Sequence, residues 1–102
     1  VANALRRDAI AALEAARAVQ PGNREVTLAL ALVRLAQGEL ERAQALVDDV
    51  RRAGPVPAPL SHRLALAWQD GGQREPALKE YRHAVASDPS LAPGYFALQS
   101  DI

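Results

Sequence analysis

Residues 24–57 read REVTLALALVRLAQGELERAQALVDDVRRAGPVP, and residues 58–91 read APLSHRLALAWQDGGQREPALKEYRHAVASDPSL. Laid over one another, these 34-residue stretches agree at seven positions: Leu30/Leu64, Ala31/Ala65, Leu32/Leu66, Gly38/Gly72, Glu41/Glu75, Ala43/Ala77 and Pro55/Pro89. The identity is low, but most matches are small, apolar or turn residues, the classes that close helix packing and chain reversal require. The interval also extends upstream, where Pro21 precedes Pro55 and Ala9 precedes Ala43 by the same 34 residues. Self-similarity at a fixed period of this length points to stacked supersecondary units.

Each stretch reads as two helices. Asn23 is a good N-cap, and Glu25 follows in the first turn, where the helix dipole favours an anion. The first helix runs to about Gln37 and breaks at Gly38. The second runs from about Glu39 to Arg52, with Leu40, Ala43, Leu46, Val47 and Val50 on one face at helical spacing. Arg51 and Arg52 suit its last turn, and Gly54-Pro55 stops it. In the next stretch Pro57, Pro59 and Leu60 lead into a helix ending at Asp70, and Gly71-Gly72 makes the turn. Pro76 falls in the first turn of the following helix, where a missing N–H costs nothing. That helix carries Ala77, Leu78, Tyr81, Ala84 and Val85 on one face and ends before Asp88-Pro89.

The flanks continue the pattern. Residues 1–23 read as the second helix of a partial repeat, capped by Asn3, with Ala9, Leu13 and Ala16 as its face. Residues 92–102 begin the first helix of a truncated repeat, Pro93 to Ile102. The expectation is one all-α domain over 1–102, excised from a longer protein. Eleven Arg against one Lys, with abundant Ala, Gly and Pro, suggest a GC-rich bacterial genome.

Composition narrows the function. Ala supplies 22 residues and Leu 14, a helix-forming mixture. There is no Cys, which excludes disulfides, thiolate metal sites and a cysteine nucleophile. Twelve basic residues balance twelve acidic ones, and only four aromatics are present, which argues against a nucleic-acid binder. The longest apolar run, Val26 to Ala36, is interrupted by Thr27 and Arg34 and falls short of the ~20 residues that a membrane span needs.

Catalytic groupings are weak. His62 and His83 lie on different helices without paired ligand spacing, so no metal site or cofactor is expected. His83 reads as a residue of an exposed helix face. Ser61-His62 has no surrounding GxSxG elbow. Asp48 and Asp49 point about 100° apart on a helix and do not form a dyad. Arg6-Arg7 and Arg51-Arg52 are small basic spots of the kind that solvated faces carry. No catalytic residue is assigned.

The residues resemble the tetratricopeptide repeat family. The stretch 58–91 carries the resemblance best, through Leu64, Ala65 and Trp68 on its first helix, Gly72 in the turn, Ala77, Tyr81 and Ala84 on its second, and Pro89 after it. Leu30, Ala31, Gly38, Ala43 and Pro55 fit in the preceding unit, Ala9, Leu13, Ala16 and Pro21 before that, and Tyr95 and Leu98 open a fourth. Two departures stand out. Arg34 occupies the place of Trp68, which loosens its unit or calls for an acidic partner, and Thr27 and Ser61 replace the usual opening Trp.

The resemblance implies a right-handed α-solenoid whose first helices line a concave groove for a peptide or helix. Glu25, Leu28, Ala29, Leu32 and Leu35 would line it, then His62, Arg63, Leu66, Gln69 and Asp70, then Phe96 and Ser100. Leu28, Leu32 and Leu35 form an apolar stripe additional to the inward face of Val26, Leu30 and Val33, so that helix expects cover on both sides, from a partner or from missing parts of the parent chain. The carboxylate-clamp groove of some family members needs Lys and Asn where Leu28, Leu32 and Leu66 stand, and is not expected.

The function expected is a non-catalytic protein–protein interaction module, with Glu25, Arg63 and Asp70 orienting the partner. The alternative is a docking appendage of an enzyme, such as a peptidase or transferase, whose catalytic domain lies elsewhere. Three packing expectations accompany this reading. Ala43 and Ala77 should be buried at helix crossings. Trp68 and Tyr81 should pack between the helices of their unit. The terminal helices should leave Leu13 at one end, and Phe96 and Leu98 at the other, open for a homodimer.

Overall fold

Asn23 does what its position suggests: its side-chain Oδ1 accepts the backbone N–H of Val26 at 3.1 Å. That bond satisfies one of the orphan donors at a helix start. In the computed structural model, which describes residues 2–100 and the side chains of Arg7 to Ser100, six α-helices follow in order. They are α1 (Ala2–Val19), α2 (Arg24–Ala36), α3 (Leu40–Ala53), α4 (Ala58–Asp70), α5 (Arg74–Ser87) and α6 (Ala92–Ser100), with a short 3-10 turn at Pro89–Leu91 before α6. No strand occurs among the described residues. The architecture is all-α.

The chain divides into two compact units, Val1–Pro55 and Val56–Ile102. In unit 1, α2 packs against both α1 and α3. In unit 2, α4 packs on α5, and α5 also meets the 3-10 turn and α6. The helix pairs α2–α3 and α4–α5 close with the same reversal. Gly38 has φ 78° and Gly72 has φ 77°, a left-handed backbone that glycine adopts without steric cost. Gly38 N–H donates to Leu35 C=O at 3.0 Å and Glu39 N–H to Arg34 C=O at 3.0 Å. In unit 2, Gly72 N–H donates to Gln69 C=O at 3.0 Å and Gln73 N–H to Trp68 C=O at 2.9 Å. These are the paired bonds of a Schellman cap, which satisfies the last carbonyls of the first helix while turning the chain.

Small residues let the helices of each unit approach. Ala31 and Ala43 are buried in unit 1, and Ala65, Ala77 and Ala84 in unit 2. Thr27 and Ser61, the residues standing where an opening Trp was expected, are buried too. Leu30, Leu46, Val47 and Val50 complete the core of unit 1. In unit 2, Ala65, Ala77, Tyr81 and Leu98 form one cluster, with Trp68, Leu78, Val85, Leu91 and Tyr95 packed against it. Trp68 is half-buried, a partial version of the enclosure expected for it. Pro59 and Pro76 lie within the first turns of α4 and α5, as anticipated.

Several expectations need correction. Asn3 lies inside α1, which begins at Ala2, so it does not precede that helix as a cap; its side chain, like that of Arg6, is outside the described residues. Ile102 also lies outside them. Leu98 is not an open contact: it is buried in the unit 2 cluster, because α6 lays this side chain onto Tyr81 and its neighbours. Val26 and Val33 are only half-buried, and Thr27 and Ala31 take the innermost places on α2. His83 is half-buried rather than exposed. Glu80 was not anticipated in the core, yet it is 1% exposed on the inward side of α5.

Candidate functional site

On α2 the buried residues Thr27, Leu30 and Ala31 fix which side faces the rest of unit 1. Leu28 and Leu32 lie two positions from Leu30, about 200° around the helix at ~100° per residue, and so point the other way. Leu32 is 39% exposed, Leu28 and Leu35 are half-buried, and Glu25 is exposed. The apolar stripe is present on a helix that already buries its opposite side.

Unit 2 repeats part of this arrangement with different chemistry. Leu66 is 40% exposed on α4, the counterpart of Leu32, and Arg63, Gln69 and Asp70 are exposed around it. His62 is half-buried, with Nε2 3.1 Å from the Tyr81 hydroxyl and the two rings edge-to-face at 5.1 Å. An aromatic chain then runs from Tyr81 to Tyr95 (6.1 Å) and on to Phe96 (5.6 Å). Phe96 is 60% exposed, the far end of that chain. Unit 2 therefore brings His62 and Phe96 into one aromatic series through Tyr81 and Tyr95. Glu25 and the leucines of α2 belong to unit 1.

Gly94 sets how closely α6 approaches. A Cβ built there would collide with the Tyr81 hydroxyl. The absent side chain thus makes room for an oxygen that also meets His62. Sequence reading did not find this contact, since a glycine in a helix carries no sign of which side chain needs the space.

Unit 1 holds a second feature, a cavity of about 620 Å³ among α1, α2 and α3. Ala45 and the edges of the buried Leu30 and Leu46 contribute apolar lining, Arg17, Arg34 and Arg42 basic lining, and Glu14 and Asp49 acidic lining. Arg34, with its side chain only 13% exposed, pairs with Glu14 and, at 2.8 Å, with Glu39. Arg17 pairs with Asp49 at 2.7 Å. An acidic partner for Arg34 was one of the two alternatives its position raised. The sequence held no sign of the cavity, which depends on where a long side chain is drawn.

The remaining polar motifs are absorbed by structure. Asp48 and Asp49 each meet an arginine three residues on, Arg51 at 3.5 Å and Arg52 at 2.7 Å. Ser61 is buried beside its half-buried neighbour His62. Among the described residues, no group of three or more His, Cys, Asp or Glu is placed to hold a metal ion, and no helix is long and apolar enough to cross a membrane.

Comparison with known sequences bears on what these faces do. The model of a family described as tetratricopeptide repeat matches residues 6–67, which run from α1 through most of α4. No curated protein matches the chain significantly.

Proposed function

Because the chain belongs to the tetratricopeptide repeat family, whose repeats generally mediate protein–protein interaction, we propose that it is a non-catalytic module that docks an apolar segment of a partner, peptide or helix, on the outward faces of its first helices. The observation that carries this reading is the pair Leu32 and Leu66, large apolar side chains left about two-fifths exposed on α2 and α4. Leu28 and Leu35 widen the apolar surface on α2, and Phe96 supplies an aromatic contact on α6. Charged residues stand around these faces rather than within them. Glu25 borders the stripe on α2, and Arg63 and Asp70 border Leu66 on α4. Such an arrangement takes binding energy from apolar burial and orientation from charges that stay partly in water. His62 is held by Tyr81 and contributes a fixed edge to the α4 face.

The reading is tested by selecting peptides from a displayed library against the folded protein and measuring binding of the selected sequences by fluorescence anisotropy. Leu32→Asp and Leu66→Asp should each weaken binding by roughly 10–100-fold, the equivalent of losing one well-buried leucine contact. Selected peptides that bind both variants as tightly as the parent would refute the assignment of these faces.

A further inference from the structure

We propose that α1 is a releasable strap over a second docking seat, the side of α2 and α3 that it faces, and that a protein partner fills this seat with an amphipathic helix of α1's own pattern. Burial sets α1 apart. Helices α2 to α5 bury three or four residues each, whereas no described side chain of α1, Arg7 to Val19, is buried. Ile10, Leu13 and Ala16 reach only half-burial. Close packing is also missing along this helix. Besides the depression of about 620 Å³ that it shares with α2 and α3, a second opening of about 400 Å³ lies between α1 and the end of α2, lined by Arg7, Ile10, Glu14 and Gln37 among others.

Charge supplies the rest of the hold. Arg17 pairs with Asp49 of α3 at 2.7 Å, and Glu14 pairs with Arg34 of α2. The side chains of Arg17, Asp49 and Glu14 are 34%, 41% and 49% exposed, so water and salt weaken both pairs. Arg17 Nε is buried with no hydrogen-bond partner among the described residues. The seated state thus keeps an unsatisfied donor that release returns to water. A helix held in this way opens ahead of a well-buried pair such as α2–α3.

What now occupies the seat shows the chemistry it takes. Arg34 and Asp49 present a cation and an anion, and α1 answers them with Glu14 and Arg17, an acid and a base three residues apart on one face. Leu13 and Ala16 stand beside them as a small apolar row. A partner helix with this order of acid, base and small aliphatics matches the seat in charge and bulk, whereas one with the charges exchanged meets like charges at both places. Leu30 and Arg34 lie on the side of α2 away from Leu28 and Leu32, so the seat is distinct from the outward faces. Only the source of the helix, a protein partner, rests on the interaction-module reading.

Hydrogen exchange on the whole chain tests the strap. Raising NaCl from about 0.05 M to about 1 M should speed exchange of the α1 amides roughly three- to tenfold and leave α2 and α3 unmoved. In the Glu14→Gln/Arg17→Gln chain α1 should exchange fast at low salt already, and indifferently to NaCl. Exchange of α1 in step with α2 and α3, or an unchanged salt response in that variant, would overturn the proposal. Anisotropy with a fluorescent peptide of residues 4–20 tests the seat. The peptide should bind the Glu14→Arg/Arg17→Asp chain saturably, with methyl shifts at Leu30 and Leu46. It should bind the parent chain, whose tethered α1 competes at about millimolar effective concentration, at least about tenfold more weakly. A peptide carrying the same two reversals should lose affinity for the altered chain to a similar degree. Equal binding of the two peptides, or none that saturates, would sink the seat. Loss of α2 and α3 protection in both altered chains would do the same, by making α1 part of the core. Leu32→Ser, added to the altered chain, should leave the affinity unchanged, and a loss there would assign the peptide to the outward face instead. The outward-face reading stands or falls separately, on the library peptides and their response to Leu32→Asp and Leu66→Asp.

Discussion

At the eleventh residue of the first helix and the seventh of the second, unit 1 carries Arg34 and Leu46, whereas unit 2 carries Trp68 and Glu80. The two units thus place a long polar side chain on opposite members of the helix pair. In unit 1 the cation is satisfied by acids at the edge, Glu14 and Glu39, and leaves space beside it. In unit 2 the same helix position holds an indole packed on Ala65, Ala77 and Tyr81, and a carboxylate is enclosed on α5. One helix-pair frame, with the same glycine reversal, therefore accepts two different solutions in its packing layer. The glycines and crossing alanines fix the frame, and the larger residues are free to vary so long as each polar group finds a partner.

The largest expected effect probes the better-filled unit. Tyr81→Ala removes the ring at the centre of the unit 2 cluster and should cost about 3–5 kcal/mol by chemical denaturation. Val47→Ala, at the same eighth position of α3, should cost only about 2 kcal/mol. Equal losses would mean that the aromatic chain contributes no more to unit 2 than valine contributes to unit 1.

A middle-sized effect sharpens the comparison inside unit 2. Gly94→Ala should destabilise by about 1–3 kcal/mol, because the new methyl meets the Tyr81 hydroxyl. In a Tyr81→Phe background the same substitution should become nearly neutral. A double-mutant cycle with no coupling would show that the oxygen is not the obstacle.

The smallest effect concerns the ionic solution of unit 1. Arg34→Met should cost about 1 kcal/mol in dilute buffer, and the difference should shrink as salt rises toward 1 M. Trp68→Met should show no such salt dependence. Parallel salt curves for both variants would erase the distinction between the units.

What the sequence made legible follows the same division. Helix limits and reversals could be read from Asn23, Gly38, Gly72 and the prolines, because capping and left-handed backbone are local demands. Ala43 and Ala77 could be placed at crossings, because a period of identical small residues has few other causes. The outward placement of Leu32 and Leu66 was also legible, from the family resemblance and, for Leu32, from helical spacing. Glu80 was not, since an enclosed carboxylate on a helix is readable only once its surroundings are known. Leu98 was misplaced for a related reason. Its helix was expected to lack cover, whereas α5 supplies it through Tyr81 and the Ala65–Ala77 layer. The cavity beside Arg34 depends on the reach of Glu14 across twenty residues of chain, which no local pattern records.

The glycine reversals also govern how quickly the protein can form. Each joins two helices across three residues, 37–39 in one unit and 71–73 in the other. Their Schellman bonds can therefore close without bringing distant parts of the chain together. A topology made of such near-neighbour contacts has a low contact order, and chains of that kind fold in about microseconds to milliseconds. Nucleation can begin at either reversal and spread to its neighbours, so a substitution at Gly38 would slow one starting point and leave the other running.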